Sequence, residues 1–288
     1  GPGAADTIRA RLLATVALES RGAGGTRPAE AAREAVRLAR GLGDPTVLAF
    51  ALNAAFMQTF HRCGLAAERD AIGAQVIAVA VRHGLPNYEI LGHLVRLQAH
   101  SALGDLTAAQ KHAAQADHLA TVHERPLVGV FTTWFAAMRS AATGAPTAED
   151  GYRRAAAALA GAGMPGVEHG LLPLAILCLR VWRGLPLDFD DATDWGPYAP
   201  WARPLVLAAR DRTDEAVAAL RQVPDPPPDL LMEALWCLVA DAAVRLDEPS
   251  ARRRARTALT PAAGEQAAGS GMLTAGPVAH YLARLDSA

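Results

Sequence analysis

The sequence predicts an all-α protein built as a solenoid, in which helix-turn-helix units stack on one another. Three observations predict this class. Hydrophobic residues make up 51% of the chain and aromatic residues only 5%, with alanine and leucine dominant and β-branched residues scattered, a composition that favours helix. Glycines recur at a constant spacing along much of the chain. Between them, apolar residues repeat at helical intervals.

The glycines form a ladder that marks the repeat. Five of them follow one another at intervals of 40 residues: Gly24, Gly64, Gly104, Gly144 and Gly184. Each lies between two helical patterns, where a glycine ends one helix before the next begins. Prolines recur near the end of each unit, at Pro45, Pro86, Pro126 and Pro165. Because proline is tolerated in the first turn of a helix, we expect each proline to open the next unit.

Apolar residues keep the same register in successive units. Seven positions before four of the glycines stand Met57, Leu97, Ala137 and Leu177. The second helix of each unit shows a similar pair of apolar positions three residues apart. A unit with one apolar stripe on each helix cannot bury that stripe alone, so the units must stack.

The ladder divides the chain into two unequal blocks. Residues 1–184 form the first block, of helical hairpins about 40 residues long. Residues 185–200 form a connection rich in proline, aspartate and tryptophan, and residues 201–288 form the second block. We expect the helices of the second block at residues 201–209, 213–221, 230–246 and 249–259, with a capping helix at 277–285.

Charge and hydropathy argue against several classes of partner. The formal net charge is −1, so we expect no general attraction to nucleic acid and no direct nucleic-acid contact by this domain. No apolar run reaches the roughly 18 residues that a membrane span requires, so we expect no membrane partner and no signal peptide. Cys63, Cys178 and Cys237 lie in apolar stretches, as packed, reduced thiols do, and we therefore expect a cytoplasmic protein.

Several segments resemble known repeat proteins. Residues 99–109 read like the helix end, turn and second helix of a degenerate tetratricopeptide repeat, although the period lies above the roughly 34 residues of that repeat. The resemblance implies a right-handed superhelical solenoid of tetratricopeptide-like repeats. Residues 39–45, 59–64 and 161–166 are similar to the C-terminal repeat region of large actinobacterial transcriptional regulators, of the SARP type and the ATP-binding LuxR type.

This second resemblance covers essentially the whole chain, although its motifs concern packing rather than chemistry. It implies a regulatory module that senses a ligand or contacts other proteins, with DNA-binding and nucleotide-binding domains outside this chain. Gly1 and Pro2 look like the remnant of a protease site, which suggests that the domain was excised from something longer. The single lysine, Lys111, stands in a predicted helix and not in a phosphate-binding loop, so we expect no cofactor.

Two sets of residues were candidates for metal chemistry. Asp190, Asp191 and Asp194 fit the D-D-x-x-D pattern that holds magnesium against a diphosphate. No second metal motif accompanies them, so we expect a solvated acidic loop and keep a helical enzyme as a distant alternative. His112, His118 and His123 are six and five residues apart, which places them on different helix faces and predicts no zinc site.

The strongest candidate for a binding site is a concave groove lined by the first helix of each unit. The predicted groove residues are Gln58, His61, Gln98, Trp134, Met138 and Leu174. This mixture of apolar and hydrogen-bonding side chains is typical of sites for small molecules or peptides. The alternative is that these side chains are buried between helical layers.

The aromatic residues of the connection admit two interpretations. Trp195, Tyr198 and Trp201 could fold over the groove as a lid, or could fill the gap between the two blocks.

The sequence therefore predicts a non-catalytic sensor or protein-interaction domain of a cytoplasmic transcriptional regulator. It would bind a small molecule, or a peptide or protein segment, in the groove. The alternative is a structural self-association module without a ligand, and a helical enzyme that uses the Asp190 cluster is the distant third hypothesis.

Overall fold

The computed structural model describes residues 2–22, 25–159 and 168–287, and in these residues the protein is all-helical. They contain 14 α-helices and three short 3-10 helices, at Gln58–Phe60, Gly196–Tyr198 and Thr260–Ala262. No β-strand occurs in these ranges. A single isolated bridge joins Gln266 to Pro277.

The first nine helices are α1 (Pro2–Glu19), α2 (Arg27–Leu42), α3 (Pro45–Met57), α4 (Ala66–His83), α5 (Pro86–Ala102), α6 (Leu106–Val122), α7 (Val128–Ala142), α8 (Ala148–Leu159) and α9 (Leu171–Arg183). The other five are α10 (Ala199–Ala208), α11 (Thr213–Arg221), α12 (Met232–Arg245), α13 (Pro249–Leu259) and α14 (Val278–Ser287). The predicted bounds of α11 and α13 are confirmed, and those of α10, α12 and α14 differ by one or two residues.

Prolines open helices where the local chain permits it. Pro45 and Pro86 occupy the first turns of α3 and α5, as predicted. Asp44 caps α3, because its Oδ1 accepts hydrogen bonds from the backbone N–H groups of Thr46 and Val47 at 2.9 and 3.1 Å. Pro126 instead belongs to a turn that precedes the start of α7 at residue 128. The predicted opening at Pro165 lies outside the described residues.

Glycines in the left-handed backbone region follow three of the helices that the ladder predicts to end. Gly104, Gly144 and Gly184 follow α5, α7 and α9 with φ of 78°, 78° and 64°, which lets the chain reverse direction after the last turn. Gly64 adopts φ of 82° between the 3-10 helix and α4. Gly24 and the segment 161–166 lie outside the described residues.

The helices contact one another in two different patterns. From α1 to α9, each helix packs on its neighbours in the chain. In the second half, α12 lies at the centre and contacts α9, α10, α11, α13 and α14. Residues 232–243 of α12 are all buried, so this helix is covered on every side.

One large hydrophobic core joins both predicted blocks. It contains residues of α5–α9 together with residues of α10–α14 and of the segment before α14. A smaller core holds α1, α2 and α3 together, largely through alanines such as Ala10, Ala14 and Ala35. Small side chains let these three helices approach closely. None of the described helices combines the length and the apolar character that a membrane crossing needs.

Candidate functional site

Four of the six predicted groove residues are buried rather than exposed along an open groove. Trp134, Met138 and Leu174 are completely buried in the large core, and Gln98 is 9% exposed. The indole of Trp134 packs against the ring of Tyr152 on α8, with ring centroids 5.9 Å apart. The sequence register predicts that these side chains lie on the inner face of their helices. That face is covered by other parts of the same chain.

Part of this cover, at Leu97 and Gln98 of α5, is a non-helical loop between α13 and α14, which we call the inner loop (residues 265–277). Residues 267–276 are all buried, although none of them is in a helix. Loops usually run over the surface because buried backbone groups need hydrogen-bond partners. A buried stretch of this kind therefore requires partners from its own backbone or from the surrounding helices.

The inner loop supplies many of these partners itself. Its two ends meet, because Ala267 N–H donates to the carbonyl of Gly276 at 2.8 Å and Ala275 N–H donates to that of Ala267 at 3.0 Å. The Ser270 hydroxyl accepts from the N–H groups of Met272 and Leu273 at 3.1 and 3.3 Å. The segment thus has closed ends and internal bonds, as compact Ω-loops do.

The helices hold the inner loop at close range. Gln266 N–H donates to the carbonyl of Ala102, at the end of α5, at 2.6 Å. A Cβ atom at Gly271 would lie 2.5 Å from Leu97 Cδ2, and one at Gly276 would lie 2.3 Å from Cε2 of Trp182 on α9. Both glycines have positive φ, of 66° and 83°. Only glycine fits these positions, so the loop and the inner faces of α5 and α9 are matched in shape.

A buried ionic cluster anchors the start of the inner loop. Arg69 on α4 is fully buried, and its Nη2 lies 3.6 Å from Glu233 Oε1 on α12 and 3.9 Å from Glu265 Oε2. The guanidinium also lies over the ring of Phe60, 4.9 Å from its centroid. Glu265 Oε1 accepts from the N–H of Ala66, the first residue of α4, at 2.9 Å. Burial raises the pKa of Glu265.

Gln58 and His61 are separated from the other predicted groove residues. They line a surface cavity of about 210 Å³ together with apolar atoms of Met57 and Phe60 and with Arg33. Gln58 Nε2 donates to the carbonyl of Ala17 at 2.7 Å, and His61 Nδ1 lies 2.9 Å from the carbonyl of Gln58. The six predicted residues therefore do not form one site.

The aromatic residues of the connection fill space in the core. Tyr198 and Trp201 are each 8% exposed and belong to the large core, and Trp195 packs against it. The ring of Trp195 meets that of Phe189 edge to face at 4.9 Å. Of the two interpretations open from the sequence, the structure matches the filling of a gap and not a lid over a groove.

The aspartates of the D-D-x-x-D pattern each turn to a different partner. Asp190 Oδ1 accepts from the N–H of Ala192 at 2.8 Å, and Asp191 pairs with Arg210. Asp194 Oδ2 lies 3.0 Å from Nδ1 of His169, a contact that lowers the pKa of this carboxyl. Across the described ranges, no group of three or more His, Cys, Asp or Glu side chains is arranged to hold a metal ion.

A histidine cluster could not be predicted from the sequence, because its members come from different helices. His93 on α5 and His112 on α6 face each other with their Nδ1 atoms 2.9 Å apart. The ring of His100 stacks on that of His112 with centroids 5.5 Å apart, and its Nε2 lies 3.1 Å from Asp70 Oδ1 on α4. Burial, followed by the charge of Arg96, lowers the pKa of His112 to about 4.

The three cysteines are free and buried, as the sequence predicts for packed thiols. Burial raises the pKa of all three, that of Cys178 to about 12. A thiol that stays protonated is a poor nucleophile, so these side chains act as small apolar groups of the core.

The sequence did contain one signal for the inner loop. Between the predicted helices at 249–259 and 277–285 lies a run of small residues that is too long for an ordinary helix connection. Such a run usually indicates a solvent loop or a functional one. Comparison of this chain with protein-family models, with curated proteins and with solved structures found no match.

Proposed function

We propose that this chain is a non-catalytic interaction domain that recognises a non-helical polypeptide segment on the inner surface of its helices. The observation that carries the proposal is the inner loop, whose backbone and glycines fit closely between α4, α5, α9 and α12. A surface that holds a polypeptide loop by shape, by hydrogen bonds and by a charge can recognise a partner segment in the same way.

The architecture that we propose is a right-handed superhelical solenoid of tetratricopeptide-like hairpins. Contacts between chain neighbours from α1 to α9 support it, because repeat units of a solenoid contact only their neighbours. The glycines at the ends of α5, α7 and α9 support it as well. The packing around α12 departs from this pattern and would close one end of the array.

We further propose that the domain belongs to a cytoplasmic transcriptional regulator and contacts another protein segment in it. This part rests on the resemblance of residues 39–45 and 59–64 to the repeat region of such regulators. The gene that encodes the chain provides the test. A DNA-binding domain in the same reading frame is expected, and a gene without one contradicts the regulator assignment.

Selection of binding segments tests the interaction domain itself. A phage-displayed library of short peptides is selected against the full chain, and the bound peptides are mapped by hydrogen exchange. The proposal predicts saturable binding of the selected peptides, with changed exchange in α5, α9 or the inner loop. Peptides that bind no better than scrambled versions of themselves would contradict it.

The cavity beside Gln58 and His61 favours small-molecule binding as a second candidate. Apolar atoms of Met57 and Phe60, two hydrogen-bonding side chains and the cation of Arg33 meet in about 210 Å³, a volume that suits a small ligand with one anionic group. A metabolite that raises the melting temperature of the wild type but not of an Arg33→Ala variant would support this candidate. Equal shifts in both proteins would exclude the cavity.

An exposed stripe on α1 favours self-association as a further alternative. Ile8, Leu12 and Val16 follow one another at four-residue spacing and are 60%, 61% and 46% exposed. If this stripe joins two copies, sedimentation will show a mass that rises with concentration for the wild type and stays constant for Leu12→Lys. A constant mass for both proteins would exclude self-association through α1.

A further inference from the structure

The inner loop is an unusual connection. Residues 267–276 are all buried, yet most of them are small, which makes it easier for the segment to leave the core. Residues 267–276 include four glycines or serines and three alanines, so few large side chains would have to be extracted from the core. Ala263 and Gly264, which precede the loop, are exposed, whereas Val278, which follows it, is buried in the large core. Gly264 supplies the backbone freedom that a hinge needs at the first of these ends.

The surface beneath the loop differs chemically from an ordinary core. Arg69 brings a positive charge to it, which Glu233 of α12 shares at 3.6 Å, and the nitrogens of its guanidinium form no hydrogen bond within the described residues. Leu97, Gln98 and Trp182 add apolar and amide surface at close range to the loop glycines. A cation beside a channel shaped for glycine selects a segment that carries a carboxylate followed by small residues.

We infer that the inner loop is an internal stand-in for the partner segment, and that the surface beneath it takes a segment of the same chemistry from another protein. That segment carries one carboxylate for Arg69 and then a run of glycine, alanine and serine around an aliphatic pair, as Glu265 and Met272-Leu273 provide here. The inference rests on the proposed interaction function and names the kind of partner and the site.

The inner loop already occupies this surface within the same chain, so a partner segment must displace it. A tethered segment has an effective concentration in the millimolar range or above, so a free segment of equal intrinsic affinity competes poorly. Substitutions that weaken the tethered loop without unfolding the helices therefore increase the apparent affinity for a free segment.

The loop sequence itself is the probe. A fluorescent peptide that spans residues 263–279 is titrated, with anisotropy as the readout, into four full-length proteins. These are the wild type, Gly271→Ala, Glu265→Gln and Gly41→Ala. Gly271→Ala places a methyl group against Leu97, and Glu265→Gln removes the charge but keeps an acceptor for Ala66. Gly41→Ala is the matched control, because nothing lies within 4 Å of the added Cβ.

The expected result is at least tenfold tighter binding to Gly271→Ala and to Glu265→Gln than to the wild type and Gly41→Ala. A peptide with glutamine in place of its glutamate should bind Gly271→Ala at least tenfold more weakly. The two loosened variants perturb different contacts, and circular dichroism identifies which of them keeps its helices. Equal binding of the peptide to a folded loosened variant and to the wild type overturns the inference, and so does equal binding of the two peptides.

A failure here is distinguishable from a failure of the interaction function. If phage-selected peptides bind the wild type while the 263–279 peptide binds no variant, the interaction function stands and the inner surface is not its site. If neither set of peptides binds, both proposals fall.

Discussion

Arg69 is a fully buried cation, and its burial has a large electrostatic cost. Its side chain is fully buried, and its counter-charges, Glu233 and Glu265, come from α12 and from the inner loop. Taking three charges out of water is costly, and distances of 3.6 and 3.9 Å regain only part of that cost. The cluster therefore specifies how distant segments meet more than it adds net stability.

Removal of the cation alone should be strongly destabilising. Arg69→Met leaves two carboxylates buried without a counter-charge, so we expect a loss of about 3–5 kcal/mol in the free energy of unfolding, measured by urea denaturation. The triple variant Arg69→Met, Glu233→Leu, Glu265→Gln should regain at least half of this loss. Arg9→Met is the control, because Arg9 pairs with Glu34 while 63% exposed and should cost about 0–1 kcal/mol. A loss below about 1 kcal/mol for Arg69→Met would contradict this account.

At the scale of elements, the histidine pair joins α5 to α6 and makes that joint sensitive to acid. The Nδ1 atoms of His93 and His112 are 2.9 Å apart, so one must donate and the other accept, and the accepting ring must be neutral. Protonation would set a positive ring against Arg96 and against the partner histidine. Asp70 is the acidic group that faces this cluster from α4, and it already pairs with Arg96 and His100.

The pH dependence of stability follows from this joint. The pKa of His112 is depressed from 6.5 to about 4 by folding, so the unfolded chain binds the proton more readily. The stability that the neutral ring contributes is complete above pH 6.5 and is lost as the pH falls towards 4. We expect His112→Gln to flatten the fall in unfolding free energy over this interval by about 2–3 kcal/mol. His118→Gln, an exposed change on the same helix, should leave the fall unchanged, and equal profiles for all three proteins would contradict the assignment.

Helix α1 shows a sharp division between its two faces. Leu12 is 61% exposed and Ala14 is fully buried against α2 and α3. Thermal and urea denaturation of Leu12→Lys should give a free energy of unfolding within about 0.5 kcal/mol of the wild type. Ala14→Leu overpacks the alanine-rich contact and should cost about 1–3 kcal/mol. The reverse order of these two effects would show that α1 packs through its other face.

Local signals explain which elements were predictable. Helix α13 begins at its predicted residue because Pro249 occupies its first turn and Glu248 caps it. Helix α11 also lies at its predicted bounds. Asp211 and Asp247 adopt φ of 58° and 50° after α10 and α12, where the earlier units use glycine.

Long-range contacts explain what the sequence did not predict. The register placed Trp134 and Leu174 on the inner face of their helices, and both are indeed turned inward. Whether that face is open depends on α12 and the inner loop, which lie about 60 to 140 residues further along the chain. The local composition does not indicate that Gly276 packs against Trp182, since a glycine-rich run is equally typical of a solvent-exposed loop.

At the scale of the whole molecule, the array is a set of neighbour-packed helices closed by its own C-terminal third. The large core joins α5–α9 to α10–α14, so the two predicted blocks unfold together unless a smaller unit opens first. The inner loop is the natural smaller unit, since Ala263 and Gly264 before it are exposed and most of its side chains are small.

Native-state hydrogen exchange in low concentrations of urea tests this central claim most directly. It compares the amides of Ala267 and Ala275, which are hydrogen-bonded within the inner loop, with that of Leu238 on α12. The account predicts that the loop amides exchange through an opening of lower free energy and smaller urea dependence than that of Leu238. The same free energy and the same urea dependence for all three amides would show that the loop leaves only when the protein unfolds, and would contradict it.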